Sequence, residues 1–191
     1  ARMYFEQIWK KDKSAATYEM YLNTLLELEE FETAEDIVKK RLKSQRDKSM
    51  AQLDLGSLYL RIGQQEDAQI AFQKALDAMS QGRGPAKALA NAFVKLDQLD
   101  LALATYEKAI RIGKDGYAYN YELANLQGIR GDYEGMVNSF LELLHDRPNY
   151  LQTVKNSFNR NLRITEDERQ AEMVRKQVLA ASQRHSEDDV Y

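Results

Sequence analysis

The chain of 191 residues contains no cysteine, two prolines, two histidines and one tryptophan. Without cysteine, disulfide bonds and thiolate chemistry are excluded, although cytosolic and exported proteins can both lack this residue. With nine glycines, 43% hydrophobic and 30% charged residues, the composition is typical of a folded helical protein and excludes a disordered one.

Long apolar runs and a strong net charge are also missing. No stretch approaches the ~20 apolar residues of a membrane-spanning helix, and no apolar signal segment follows the basic residues at the start. The net charge of -3 and the pI of about 5.6 would require a local basic surface for nucleic-acid binding, and no repeating stripe of basic and aromatic residues supplies one. We therefore expect no membrane span in this sequence and no nucleic-acid partner.

The residues that catalysis and metal binding require are not assembled at usable spacings. His145 and His185 stand among charged residues near predicted helix ends, and neither has a second histidine at a metal-ligand spacing. We interpret both as solvated residues at helix C-termini, where a cation is favoured. Glycine-rich phosphate loops and nucleophile elbows are absent as well. The sequence thus predicts no enzymatic activity, no bound metal and no cofactor.

The chain does contain a period of 34 residues. It links Ala34, Ala68, Ala102 and Met136, and a bulky residue follows each four positions later: Val38, Phe72, Tyr106 and Phe140. The same period links the upstream pairs Tyr21-Leu22, Leu55-Gly56, Leu89-Ala90 and Leu123-Ala124. A small residue lets two helices approach closely, and a bulky one fills the space beside it. A unit of ~34 residues is one antiparallel helix pair, which must stack on its neighbours to bury its apolar face.

At these positions the chain resembles the tetratricopeptide repeat (TPR) family. The best copy of the family pattern is Leu55-Gly56, Tyr59, Gly63, Ala68, Phe72 and Ala75; residues 84–116 and 117–148 repeat it, and residues 15–48 follow it more loosely. The resemblance covers roughly residues 15–148. It implies an all-α fold, a right-handed α-α superhelix (TPR solenoid) of antiparallel helix pairs.

This resemblance and the helical periodicity divide the chain into repeats. We predict the second helix of a truncated preceding repeat at 1–14, four repeats at 15–48, 49–82, 83–116 and 117–148, a divergent fifth helix pair at 149–185, and a polar end or the start of a further helix at 186–191. Thr165 and Glu168 form a capping-box pattern, which predicts that the last helix begins near Glu166. We expect the native chain to begin earlier and further repeats to follow.

A row of polar residues on the predicted first helices is the candidate binding site. It consists of Asn23, Ser57, Asn91, Asn125 and Asn159, again at the 34-residue period. In the family this face is the usual ligand surface, and a side-chain amide offers both a donor and an acceptor to a peptide backbone. Lys87 and Tyr121 flank the row and would supply selectivity. The alternative is that these asparagines are family consensus and only bond a neighbouring helix or solvate the groove.

Two more specific kinds of binding are not expected. Some TPR co-chaperones grip a C-terminal carboxylate, and Lys87 with Asn91 matches the first pair of that clamp, but Glu122 stands where the next asparagine is required. The basic run Lys39, Lys40, Arg41, Lys43, Arg46 and Lys48 ends a predicted helix, where cations complement the helix dipole. We prefer this interpretation of the run over a binding patch.

The sequence favours a non-enzymatic scaffold that binds another protein, as a peptide segment or a helix, in the concave groove. Two alternatives stay open. The repeats are an architectural spacer or self-assembly region of a larger protein, or they are an accessory domain of an enzyme whose catalytic part is absent from this sequence.

Overall fold

A computed structural model describes residues 2–44, 48–113 and 119–185. The helices of this part of the chain are α1 (Arg2–Lys11), α2 (Ala15–Glu27), α3 (Phe31–Ser44), α4 (Ser49–Arg61), α5 (Gln65–Asp77), α6 (Arg83–Lys95), α7 (Leu99–Ile112), α8 (Asn120–Arg130), α9 (Tyr133–Asp146), α10 (Leu151–Asn161) and α11 (Glu168–His185). A short 3-10 helix, Pro148–Tyr150, precedes α10.

The helix boundaries agree with the periodicity. The helix predicted at 49–62 is α4, Ser49–Arg61, and the helix predicted at 133–146 is α9, Tyr133–Asp146. No strand occurs in the described ranges, so the all-α class is confirmed. Within those ranges, no helix combines the length and the apolar character needed to cross a membrane. The predicted segment 186–191 lies outside the described residues.

The turn inside each of four helix pairs uses a left-handed residue. These residues are Glu29, Gly63, Asp97 and Gly131, with φ of 57°, 79°, 57° and 82°. They follow one another at the 34-residue period, so the backbone repeats in phase with the side chains. Thr165, one period after Gly131, does not have a positive φ. The period of the turn therefore ends before the fifth helix pair.

The chain divides into two compact units, Ala1–Ser80 and Gln81–Tyr191. In unit 1, α1 packs on α2, α2 on α3, α3 on α4, and α4 on α5. Their shared core includes the fully buried Leu25, Ala34 and Val38, and Phe5 and Trp9 of α1 pack against it. The residues that the period marked as helix contacts are thus core residues here.

In unit 2, α6 packs on α7, α7 on α8, and α8 on α9. α11 packs along α9. The two helices are parallel, since Gln177, midway along α11, bonds Glu134 near the start of α9, and Arg184, near the end of α11, pairs with Glu142 further along α9. The core lies around α9 and includes Met136, Val137, Phe140, Leu143, Val154 and Leu162. One face of α9 is therefore covered by α11.

The predicted start of this last helix is wrong. α11 begins at Glu168, and its cap is Asp167, whose Oδ1 accepts the backbone N–H groups of Arg169 and Gln170 at 3.0 and 3.3 Å. Thr165 and Glu168 do not form the capping box, because Thr165 lies in the turn two residues before the cap. An aspartate at the N-cap satisfies the free N–H groups equally well.

Gly56 lies at a close contact between helices α4 and α5. A Cβ atom at Gly56 would overlap ring carbons of Phe72 and lie 3.1 Å from the backbone oxygen of Ala68. Ala68 and Phe72 are themselves fully buried. Glycine at this position lets the Phe72 ring lie directly on the backbone of α4, and this contact fixes the packing of the helix pair.

Candidate functional site

The predicted row of polar residues lies on the first helices of the pairs. Asn23 (α2), Asn91 (α6) and Asn159 (α10) are exposed, and Ser57 (α4) and Asn125 (α8) are partly exposed. Of these five side chains, only that of Asn125 has a hydrogen-bond partner among the described residues. The side chains of the other four are available to a ligand.

Asn125 has one half of its amide engaged. Its Nδ2 donates a hydrogen bond of 2.7 Å to the backbone oxygen of Tyr121, one turn earlier in α8. The Oδ1 atom keeps its acceptor capacity. This bond holds the Asn125 amide against its own helix. Its Oδ1 atom remains able to accept a hydrogen bond from a ligand.

An ion pair joins α6 to α8 beside these residues. Lys87 Nζ lies 2.8 Å from Glu122 Oε1, and Arg83 Nη2 lies 3.4 Å from the same oxygen. The Glu122 side chain is only 12% exposed. Burial opposes its ionisation, but the hydrogen bond from Lys87, assisted by a backbone bond and by Arg83, outweighs it. The pKa of Glu122 is therefore below its ordinary value.

Helix geometry places two asparagines next to this ion pair. Asn91 is four residues after Lys87 in α6, and Asn125 is three residues after Glu122 in α8. Residues three or four apart share one face of a helix. Asn91 and Tyr121 are exposed, and Lys87 and Asn125 are partly exposed. We call these four residues, which flank the ion pair on α6 and α8, the asparagine strip.

Tyr121 contributes an aromatic edge to the asparagine strip. Its ring packs against Phe140 and Tyr150, with centroids 6.2 and 6.1 Å apart, and 37% of the residue stays exposed. Phe140 packs in turn against Phe158 of α10 at 5.9 Å. The ring is anchored by the core on one side and open to solvent on the other.

Among the described residues, no hydrogen bond or ion pair joins Asn159 to the asparagine strip. It lines a polar pocket with the connection between α10 and α11, formed by Leu162, Arg163, Ile164, Thr165 and Glu166. Asn23 and Ser57 belong to unit 1. Within unit 2, Asn91 and Asn125 lie on the two helices that the Lys87–Glu122 ion pair joins.

Unit 1 has a counterpart of the ion pair that sequence analysis missed. Tyr18 Oη donates a hydrogen bond of 2.8 Å to Asp54 Oδ2 and so joins α2 to α4. Burial raises the pKa of Asp54 to about 6, although the bond from Tyr18 and the charge of Arg41 partly offset it. Asp54 and Glu122 stand two repeats apart at the same position. Their common phase was the signal that could have identified both.

The two histidines lie in the last turns of α9 and α11, as predicted, and His145 is exposed and His185 partly exposed. The sequence did not predict that they are neighbours. Their rings stack with centroids 3.7 Å apart, and His185 Nε2 lies 3.3 Å from Glu142 Oε2. Their proximity arises because α11 lies parallel to α9, which local sequence does not indicate. In the described part of the chain, no group of three or more histidine and acidic side chains is arranged to hold a metal.

Comparison with known proteins agrees with the repeat spacing. Residues 51–78 and 88–114 match the family model described as tetratricopeptide repeat. No curated protein matches the chain in sequence. Among solved structures, the chain is similar to YrrB, described as a TPR protein with an unusual peptide-binding site, with 18% identity over 94% of this chain and 91% of that chain and a TM-score of 0.42. MamA is similar at 17% identity over 87% of this chain and 96% of that chain, with a TM-score of 0.41.

Proposed function

We propose that this tetratricopeptide-repeat protein is a non-enzymatic scaffold that binds a segment of another protein at the asparagine strip. The observation that carries the proposal is that the two helices joined by the Lys87–Glu122 ion pair each carry an amide with unused hydrogen-bonding capacity. Asn91 is exposed without a partner among the described residues, and Asn125 has an open Oδ1. Both can bond a peptide backbone, which every protein segment offers.

The chemistry of the strip favours an extended segment over a helix. A helix uses its internal N–H and C=O groups within itself, whereas an extended segment leaves them free for a partner. The open Oδ1 of Asn125 needs a donor such as a backbone N–H. We therefore infer that the ligand lies across α6 and α8 in an extended conformation.

The ion pair excludes a terminal carboxylate as the preferred ligand group. Lys87 is the cation that would receive such a carboxylate, and the chain's own Glu122 already occupies it at 2.8 Å. A second carboxylate at this position would be repelled by Glu122. Internal segments of a partner are therefore preferred over its C-terminus.

Tyr121 supplies the apolar part of the recognition. Aromatic residues held rigidly at one edge lose little conformational entropy on binding and are common anchors of protein interfaces. Because Phe140 and Tyr150 hold its ring, Tyr121 presents a fixed apolar edge next to the two amides. A ligand side chain that packs on this edge would set the register of the segment.

The test begins with peptides selected on the full chain from a random display library. Affinity for a selected, blocked peptide is then measured by calorimetry with wild type, with the double variant Asn91→Ala/Asn125→Ala, and with Asn149→Ala as a matched exposed control. Each hydrogen bond contributes about 0.5–1.5 kcal/mol, so the double variant should bind about tenfold or more weakly. Asn149→Ala should bind like wild type, and thermal melts of all three should agree.

Backbone recognition has its own test. N-methyl groups placed one at a time along the peptide remove backbone donors without changing its side chains. At the position that faces Asn125, N-methylation should weaken binding to wild type but not to the double variant. Equal binding by wild type and the double variant would show that the asparagines are consensus residues without a binding role.

A further inference from the structure

A second surface, in unit 1, combines positive charge with an aromatic ring. A pocket of about 420 Å³ opens between the ends of α1 and α3 and is lined by Trp9, Lys13, Lys40, Arg41 and Ser44. Three of the five lining residues are cations, and none is acidic. The volume falls within the range of about 300–1,000 Å³ that is usual for ligand pockets. We call this surface the tryptophan pocket.

Aromatic rings hold two of the cations in place. Lys13 Nζ lies 4.2 Å from the centroid of the Trp9 ring, and Arg41 Cζ lies 3.9 Å from that of Tyr18. The Trp9 and Tyr18 rings pack on each other with centroids 5.7 Å apart. Cations over ring faces are attracted to them, so both charges are positioned before a ligand arrives. Such preorganisation lowers the entropy that binding costs.

Helix dipoles do not account for all of this charge. The C-terminus of a helix carries about half a negative charge, so α1 and α3 together offer about one. Lys13, Lys40 and Arg41 supply three positive charges. Among the described residues, no carboxylate lies within ion-pair distance of any of them. The positive charge of the pocket is therefore in excess.

Two lysines next to the tryptophan pocket differ from those that line it, because each has a carboxylate partner. Lys10 pairs with Glu6 at 2.7 Å, and Lys39 pairs with Glu35 at 2.8 Å, each one turn earlier in its own helix. Asp54 is the acid whose charge acts on Arg41, and it is engaged by Tyr18. The cations that line the pocket are the ones left for an external anion.

We propose that the tryptophan pocket binds an acidic segment of a partner protein. One aromatic or aliphatic side chain of the segment packs on Trp9, and flanking carboxylates face Lys13, Lys40 and Arg41. Charge complementarity identifies this occupant, since the excess positive charge of the pocket favours carboxylates and the ring favours an apolar group between them. The site lies on α1 and α3 and is independent of the asparagine strip.

Trp9 provides a direct readout because it is the one tryptophan in the sequence. The probe is a blocked octapeptide of glutamates with one central phenylalanine, titrated into the full chain at low salt while Trp9 emission is recorded. We expect a saturable change in emission. The same peptide with glutamine in place of glutamate should bind at least tenfold more weakly, and inorganic phosphate at matched ionic strength should not compete.

Charge variants locate the binding site. Lys13→Gln/Lys40→Gln should weaken the binding of the acidic peptide at least tenfold, because it removes two of the three cations while leaving the buried core unchanged. Lys74→Gln, an exposed lysine on α5 in the same unit, is the matched control and should bind as wild type does. Asn91→Ala/Asn125→Ala should also bind this peptide as wild type does, which separates this proposal from the proposed function.

Three outcomes would overturn the proposal. The first is no saturable change in Trp9 emission with the acidic peptide, and the second is equal binding of the glutamine peptide. The third is effective competition by phosphate, which would show a general anion site. A circular dichroism melt of Lys13→Gln/Lys40→Gln that matches wild type ensures that any loss of binding reports the pocket.

Discussion

The hydroxyl of Tyr18 bonds the carboxyl of Asp54 at 2.8 Å, in the repeat position where the other unit bonds Glu122 to Lys87. Each bond joins two successive first helices, but the partners differ. A neutral phenol leaves burial dominant and the pKa of Asp54 raised to about 6, whereas a lysine with a nearby arginine leaves the pKa of Glu122 lowered. One position of the repeat therefore responds to pH in opposite directions in the two units.

Asp54 should reduce the stability of unit 1 at neutral pH. Its pKa is about 6 when folded and about 3.8 ordinarily, so its favourable contribution is complete below about pH 4 and is lost as the pH rises through 6. Asp54→Asn keeps an acceptor for Tyr18 and should raise the free energy of unfolding at pH 7 by about 1–3 kcal/mol, with no gain at pH 4.

Urea titrations followed by Trp9 emission measure this effect, because Trp9 lies in unit 1. Asp36→Asn, an exposed aspartate on α3, is the control and should not change the pH dependence. If the free energies of unfolding of wild type and Asp54→Asn differ by the same amount at pH 4 and at pH 7, the ionisation of Asp54 does not affect the stability of unit 1.

Lys87 should stabilise unit 2 through Glu122. In wild type, the pKa of Glu122 is lowered on folding, so its ionised carboxylate stabilises the folded protein at pH values above the ordinary pKa of glutamate. This stabilisation is lost as the pH falls through the pKa of the folded state. In Lys87→Gln, burial becomes the larger effect, so the pKa of Glu122 should rise. The free energy of unfolding at pH 7 should fall by about 1 kcal/mol, since Arg83 and solvent still screen the carboxylate.

Carboxyl NMR titration of Glu122 and thermal melts measure these two quantities for Lys87→Gln. Lys95→Gln, an exposed lysine in the last turn of the same helix, serves as the control. An unchanged Glu122 titration in Lys87→Gln would show that the ion pair has no role in solution.

The four left-handed turn residues should respond to glycine and alanine in opposite ways. Glu29→Gly should stabilise the protein by about 1 kcal/mol, and Asp97→Gly by less, because aspartate tolerates a positive φ better than glutamate does. Gly63→Ala and Gly131→Ala should destabilise it by about 1 kcal/mol. No atom lies within 4 Å of a Cβ built at either glycine, so the effect would come from the backbone alone.

Thermal melts of these four variants test the repeated turn. A stabilising Gly63→Ala or a destabilising Glu29→Gly would show that the left-handed conformation is absent in solution.

Gly56→Ala should destabilise unit 1 by overpacking. The added methyl group meets the Phe72 ring, which is fully buried and cannot move into solvent, so we expect a loss of about 1–3 kcal/mol. The double variant Gly56→Ala/Phe72→Leu should recover part of that loss, because leucine is smaller than phenylalanine. Gly84→Ala is the control: it meets nothing within 4 Å and should be neutral.

Denaturation of the two single variants and the double variant gives the coupling energy between positions 56 and 72. A coupling energy of zero would show that the ring does not depend on the glycine.

Much of the fold could be predicted from the sequence because its information is local and repeated. The period placed Ala34, Ala68, Ala102 and Met136 at helix contacts, and all four are fully buried. Apolar residues three and four apart define the buried face of a helix regardless of what it packs against. This is why the helix boundaries were accessible without the structure.

The site was less predictable because its bonds join residues that are distant in sequence. The period placed Lys87 and Glu122 on successive first helices, but whether they would pair or bind a ligand separately depended on the distance between α6 and α8. The stacking of His145 on His185 depended on how α11 lies on α9. Neither relationship follows from the spacing of residues within one helix.

The covering of α9 by α8 on one side and α11 on the other has a kinetic consequence. Met136, Val137 and Phe140 are fully buried in the middle of this helix, so we expect solvent to reach the backbone amides there only when both neighbouring helices separate from it. Amide hydrogens exchange last in segments of this kind. In unit 2, α9 is thus the segment whose deuterium uptake measures global unfolding, while α10 exchanges through smaller local openings.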